Sequence, residues 1–119
     1  MFLVHLTFVE LYNNHFRNLL DSHSNSPGKK IEIHESKSEG VHLRGPGNLR
    51  IPVTSNVQAM TLVKRGLKMR AVGATNLNEH SSRSHSILTL HIESRESQSV
   101  VRMGKLHLVD LAGRFVPIK

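Results

Sequence analysis

Two stretches of the sequence hold residues whose types and spacing could do chemistry. Asn78-Glu79-His80-Ser81-Ser82-Arg83-Ser84-His85 packs three serine hydroxyls and an arginine into eight residues. Residues 105–113 form an apolar run that ends in Asp110-Leu111-Ala112-Gly113. A buried strand that delivers an aspartate at its C-terminal end, with a glycine three residues on, is how phosphate-handling α/β sheets place a carboxylate on the magnesium side. The glycine permits a tight turn and lets a backbone N–H approach a phosphate closely. Serine hydroxyls can complete such a site, because magnesium is a hard cation that takes oxygen ligands. By itself the apolar strand with its D-x-x-G end is also the pattern of an ordinary strand terminus, so the weight rests on the loop.

The elements that must position these two stretches can be read on either side of them. Residues 86–94 alternate, with Leu88, Leu90 and Ile92 on one face and Thr89, His91 and Glu93 on the other, which predicts a strand with one wetter side. Residues 95–99 read as a polar turn and residues 100–110 as the return strand, with Gly104 a candidate bulge. A simple hairpin leaves a loop and comes back to it, so residues 78–85 and 110–113 are expected at the same end. Upstream, Ser55-x-x-Gln58 matches a capping box. Val57, Met60, Val63 and Leu67 follow at helical spacing, which predicts a helix that exits near Gly73 with this stripe in the core. Lys64, Lys68 and Arg70 lie towards its C-terminal end, where the helix dipole favours cations. Gly66 inside the helix costs about 1 kcal/mol relative to alanine, so a compensating contact is expected there.

Residues 2–11 are rich in Leu, Val and Phe and read as a strand covered on both faces, which puts the first residues inside what should be core. Asn13 and Asn14 are read as opening a short helix over residues 15–21, with Phe16, Leu19 and Leu20 on one face. Pro27-Gly28 signals a turn. Residues 31–34 and 41–44 alternate and pair as a surface hairpin, in a segment that carries Lys29, Lys30, Lys37, Arg44 and Arg50. The fold class is therefore α/β: central sheet strands, flanking helices and a small basic surface hairpin.

A chain of 119 residues allows one domain at most. Sixteen Lys and Arg against nine Asp and Glu give a net charge of +7, which favours acidic partners such as nucleic acid, acidic lipid or an acidic polymer surface. Four Phe, one Tyr and no Trp leave few platforms on which single-stranded bases could stack, so no nucleic-acid partner is expected. The absence of cysteine rules out a disulfide framework and a thiolate zinc site. His80 and His85 stand five apart without a third ligand nearby and are poor zinc candidates. No run is apolar enough to span a bilayer and no basic region precedes an apolar start, so neither a membrane partner nor a signal peptide is expected, and a reducing, cytosolic compartment fits.

Asn78-x-x-Ser81-Ser82-Arg83-Ser84-His85 resembles, letter for letter, the switch I signature of kinesin motor domains, and Asp110-Leu111-Ala112-Gly113 looks like the start of that family's switch II. Phe8-Val9-Glu10-Leu11-Tyr12-Asn13 followed by Asn18-Leu19-Leu20-Asp21 is similar to the family's strand-to-helix segment upstream. Pro52-Val53-Thr54-Ser55 looks like the lead into the helix before switch I. The resemblance implies a P-loop NTPase fold, of which residues 1–119 are a partial motor domain. It also implies an ATP-driven microtubule motor of the cytoplasm and cytoskeleton, with ATP and Mg2+ as cofactors and microtubules (tubulin) as partner. By the same resemblance, Ser82 would place its hydroxyl on magnesium, and Ser81 would sit by the attacking water and the γ-phosphate. Asn78 would lie near the γ-phosphate, Asp110 would hold a magnesium-bound water, and Gly113 would offer its N–H to the γ-phosphate. Arg83 would pair with a switch II glutamate to close the site. The corresponding lobe of kinesins faces the microtubule, so its bases could meet acidic tubulin; a single lysine there reads first as a solvated base on a hairpin, and Arg44 and Arg50 are the expected contacts. A packing role is expected for Ser84 and His85.

Two departures stand out. Arg114-Phe115 occupy the place where the family continues with Ser-Glu, so the glutamate partner of Arg83 is missing and Arg114 brings like charge near it. No G-x-x-x-x-G-K-[ST] occurs in the sequence, so nothing in this chain cradles a β-phosphate; the helices that follow switch II are missing too. The expectation is a fragment, from a truncated gene model or an alternative transcript, that lacks turnover alone. Two other classes stay open at this point: a non-catalytic microtubule-binding module that docks through the hairpin, and a basic nucleic-acid binder, the latter without any recognised motif.

Overall fold

The computed structural model describes residues 1–21, 30–47, 49–74, 84–97 and 99–111. Strand β1 (Phe2–Tyr12) is the centre of a five-stranded sheet. Along one edge it pairs antiparallel with β2 (His15–Asn18) and β5 (Ile51–Val53), and along the other with β6 (Ser84–Ser97), beyond which lies β7 (Val100–Asp110). Residues 6–10 are buried without a break, as a strand covered on both faces requires. The start of β1 corrects the sequence reading: Met1 and Phe2 are 77% and 72% exposed rather than core.

The helix expected over residues 15–21 does not form. Asn13 (φ 50°) and Asn14 (φ 63°) both take the left-handed conformation, which asparagine tolerates better than other side-chain-bearing residues. Two such residues make the tight turn whose twist matches an antiparallel pair. Tyr12 therefore lies opposite His15, and β2 folds straight back on β1. Leu19 N–H donates to Phe8 O at 2.9 Å, and Leu19 and Leu20 drop into the core with Leu6, Phe8 and Leu62.

Helix α1 (Asn56–Ala74) covers this core and is capped much as its sequence predicts. Gln58 N–H donates to Ser55 Oγ at 3.1 Å. The returning bond goes to Thr54: Gln58 Oε1 accepts from Thr54 N–H at 2.8 Å and from its hydroxyl at 2.9 Å. The face it buries is not the predicted one. Val63 packs against the core, but Val57, Met60 and Leu67 point outward and are at least half exposed. The buried seam runs through Leu62, Gly66 and Met69. Gly66 is the reason: a Cβ there would run into Phe8 Cδ2 and stand 2.7 Å from Phe8 Cε2. The bare backbone lets the helix sit down on the Phe8 ring, and the seam follows that close approach rather than the apolar stripe.

The β6–β7 hairpin holds its register from Ser86 opposite Asp110 to Arg95 opposite Val101. Leu88 and Leu90 pack towards α1, while Thr89 on the other face bonds His107 Nδ1 through its hydroxyl at 2.8 Å. The irregularity in this pair falls between Arg95 and Ser97; Gly104, expected as a bulge, pairs regularly with Ile92. Strands β3 (Glu32–Ser36) and β4 (Gly40–Arg44) form the expected separate hairpin, closed by Gly40 at φ 67°. Lys105 Nζ donates to Glu39 O at 3.0 Å and Val41 O at 3.2 Å, which pins this hairpin to the sheet face opposite α1. Within it Glu32, Glu35 and Glu39 stand against Lys37 and Arg44, so the hairpin proper is close to charge-balanced. The turn read at Pro27-Gly28 lies outside the described residues. Among the described residues no helix is long and apolar enough to cross a membrane.

Candidate functional site

A carboxylate in the middle of an apolar strand needs a partner, because a lone buried charge is very costly. Glu10 of β1 is such a residue, at 1% exposure. Two arginines answer it: Arg17 Nη2 at 3.1 Å from Oε1, and Arg70 Nε at 3.4 Å from Oε2. Arg17 comes from β2, which the Asn13-Asn14 turn places alongside, with Glu10 directly opposite Arg17. Arg70 comes from the last part of α1, on the side of the helix that faces the sheet.

The rest of the Arg70 guanidinium is also committed. Nη1 donates to Asp110 Oδ2 at 2.7 Å and to Ser86 Oγ at 3.1 Å. Nη2 donates to Ser84 Oγ at 3.1 Å and Ser84 O at 3.4 Å. The planar, five-donor fork of arginine can serve all four directions at once, which a lysine ammonium cannot do. One side chain thus joins α1, β1, the first residues of β6 and the last residue of β7. Ser84 is fully buried and Ser86 nearly so, while Asp110 is 71% exposed. The arrangement presents a carboxylate to solvent with one oxygen tied back to a guanidinium.

Of the residues expected to act, Asp110 is placed where the hairpin argument puts it, at the end where β6 leaves the preceding loop, paired with Ser86. Ser84 takes the packing role expected of it, and β6 begins at this residue. Asn78, Ser81, Ser82, Arg83 and Gly113 lie outside the described residues, as does Arg114. Arg44 and Arg50 belong to a different surface, on the hairpin side of the sheet. Arg44 is exposed at the end of β4; Arg50 is 34% exposed and 3.6 Å from Glu39 Oε2. Glu10 and Arg70 are the members of the site that sequence reasoning missed. The available signals were an acid inside an apolar strand, and an arginine one turn after Gly66 on the seam of α1.

The hairpin side carries its own polar group. His91 Nε2 bonds the Thr7 hydroxyl at 2.8 Å. Burial first, then the charges of Arg50 and Lys105 and the neighbouring His107 and His5, push its pKa down to about 4, so the ring is neutral at pH 7. Clefts of about 560 and 410 Å3 open between the hairpin and this face, away from Asp110. Among the described residues no three His, Cys, Asp or Glu side chains converge to hold a metal ion.

Comparison with known proteins agrees with the fold and the motifs together. The kinesin motor domain family matches residues 1–114. Kinesin-like protein KIN-14I of Arabidopsis thaliana is 43% identical over 106 residues, covering 88% of this chain and 10% of the relative. Kinesin-like protein KIF3C of Mus musculus is 41% identical over 117 residues, covering 94% of this chain and 14% of the relative. The solved structure of a fast kinesin, described with implications for its ATPase mechanism and interactions with microtubules, superposes with a TM-score of 0.79 at 36% identity, over 95% of this chain and 30% of that one. The chain therefore spans a small part of the length of the relatives it matches, and its sheet-rich mixed α/β structure has the kinesin motor fold. With the family matched over nearly every residue and the same fold recovered independently, this chain belongs to the kinesin motor domain family.

Proposed function

We propose that this chain works as part of an ATP-driven microtubule motor, and that residues 1–119 are a partial motor domain of the P-loop NTPase type. The observation that carries the reading is the Arg70 bridge. It ties Asp110, the first residue of one motif, to Ser84, the seventh residue of the other, and anchors both on buried Glu10. A pair of loops that must respond together to a phosphate needs such a common support.

The donor set suits the group it would serve. Ser81, Ser82 and Asp110 offer only oxygen, as magnesium prefers, and the Asp110 carboxylate is exposed. When bound, Mg2+-ATP supplies the transferable γ-phosphate and a cation that neutralises its charge. In this reading Ser82 and, through a water, Asp110 would hold the cation. Asn78 and the Gly113 N–H would bind the γ-phosphate and Ser81 would hold the attacking water and help its proton leave, while Arg83, the residue that would close the site, has no glutamate partner after Gly113 in this chain. Arg70 is a positioning residue: with Oδ2 of Asp110 fixed, the other oxygen is left to accept from a water. Phosphoryl transfer depends chiefly on such positioning and charge neutralisation. Arg44 and Arg50 would meet the acidic microtubule surface as individual bases, since the hairpin that carries Arg44 is itself close to charge-balanced. The phosphate loop lies outside this chain, so the chain alone binds microtubules without turnover.

Co-sedimentation of the purified chain with microtubules, at two salt concentrations and with and without ATP, tests the proposal. Salt-sensitive pelleting that ATP does not reverse is expected, with R44E weakening it more than R50E because Arg50 is already paired with Glu39. No pelleting of the folded chain would remove the docking surface. Magnesium-dependent ATP hydrolysis by these 119 residues alone would overturn the need for an external phosphate loop.

A further inference from the structure

The tip of the β3–β4 hairpin is fastened through both the backbone and the side chain of one residue, Glu39. Its carbonyl oxygen accepts from Lys105 Nζ of β7 at 3.0 Å, and the same ammonium donates to Val41 O at 3.2 Å. Its N–H donates to Ser36 Oγ at 3.1 Å, just before the left-handed Gly40. With the backbone held on both sides, the carboxylate has a defined place. Its Oε2 stands 3.2 Å from His42 Nε2 and 3.6 Å from Arg50 Nη2. Arg50 comes from outside the hairpin, on the residue before β5. Among the described residues this is the one ion pair that Arg50 makes.

At 3.6 Å, with both side chains about one-third exposed, the contact is long and screened by water. Such a pair changes an equilibrium by at most about fivefold. It can therefore be exchanged for another, but an acidic surface that takes Arg50 must first replace Glu39. We propose that Glu39 is an intramolecular competitor for Arg50 and lowers the affinity of this arginine for a carboxylate-rich partner surface. The inference rests on the docking role proposed above for Arg50. A charge already answered within the chain adds less to attraction than a free one, so the effect of Arg50 on docking is set by Glu39 and not by Arg50 alone. The competitor is itself fastened to β7, the strand that ends in Asp110.

E39Q tests this directly. The amide has nearly the shape of the carboxylate, and the backbone bonds to Lys105 and Ser36 remain, so the charge is removed without releasing the hairpin. E35Q is the control: it lies on β3 of the same hairpin, opposite Val41, and makes the same change in net charge without touching the ion pair of Arg50. In microtubule co-sedimentation of the purified chain at low salt, E39Q should bind more tightly than E35Q by about two- to fivefold. In an R50A background the two substitutions should have equal effects, the non-additivity expected of residues in contact. A merely structural role for Glu39 would change binding in that background as well. Equal gains from E39Q and E35Q, or an excess that survives R50A, would overturn the inference and leave the docking reading intact. No pelleting by any of the variants would overturn the docking reading and the inference with it.

Discussion

Replacing Arg70 should cost far more than replacing the partner it holds most closely. The shortest contact of Arg70 is with Asp110, at 2.7 Å, and the longer one, at 3.4 Å, is with Glu10. Burial reverses their importance. Asp110 is 71% exposed, so its pair is screened by water and contributes at most about 1 kcal/mol. Glu10 is 1% exposed, and breaking a buried ion pair costs about 3–5 kcal/mol because the remaining charge is stranded. Arg17 stays beside Glu10 in R70A, which pulls the figure to the lower end, while the buried Ser84 and Ser86 hydroxyls lose a donor. We expect R70A to lose about 3 kcal/mol and D110A about 0.5 kcal/mol. R70K, which keeps the charge but not the fork, should fall between them. Urea unfolding followed by far-UV circular dichroism measures all three, with unchanged m-values as the check that the same transition is observed. If D110A proved as costly as R70A, or R70A lost less than about 1 kcal/mol, the assignment of Arg70 as the partner of a buried carboxylate would be refuted.

Three further outcomes are expected. G66A, which gains about 1 kcal/mol in helix propensity, should nonetheless destabilise by about 1–2 kcal/mol because the new methyl meets the Phe8 ring. G104A, with open space around its Cβ position, should be neutral or slightly stabilising; a stabilised G66A in thermal melts would contradict the packing. Asn14 sits at φ 63°, so N14G should hold or raise the melting temperature, whereas a β-branched N14V should lose about 1–2 kcal/mol. The folded pKa of His91, about 4, lies below its ordinary 6.5, so the neutral ring is the form the fold favours. Its contribution is fully present above pH 6.5 and declines as pH falls towards 4, by on the order of 1–2 kcal/mol after allowing for partial exposure. The difference in urea midpoint between pH 7 and pH 5 should shrink in H91Q, and an unchanged difference would show that His91 is not its source.

Local pattern made some of this architecture readable. The β6–β7 hairpin was legible because its residues alternate strictly and only one face of β6 is apolar, and the Ser55–Gln58 cap because a side chain and a backbone three residues apart must meet. Phe16, Leu19 and Leu20 were ambiguous: their spacing fits a helix, and the left-handed pair Asn13-Asn14 decided for a strand. The buried face of α1 was misread because a glycine contributes nothing to an apolar count, yet lets the backbone approach a ring as no larger residue can. Glu10, Arg70 and Asp110 are separated by 60 and 40 residues, and no local rule links them. Their association is a property of the packed sheet and helix, whereas the serine-rich loop and Asp110 are visible as words in the sequence.

The pairing of β1 also has a consequence in time. Its nearest β6 partner is Ser84, opposite Tyr12, and its farthest is Ser94, opposite Phe2. At about 5–20 residues per second, a ribosome completes β1 roughly 4–15 s before the first of those partners is made. The Asn13-Asn14 turn can fold β2 back on β1 within microseconds, so the far half of one edge is satisfied almost at once. The other edge waits for a contact whose loop-closure entropy exceeds that of the tight turn by about 3 kcal/mol. During synthesis the β6-facing edge of the strand that becomes the centre of the sheet therefore stays unpaired by β6 for those seconds, long after its opposite edge has begun to pair.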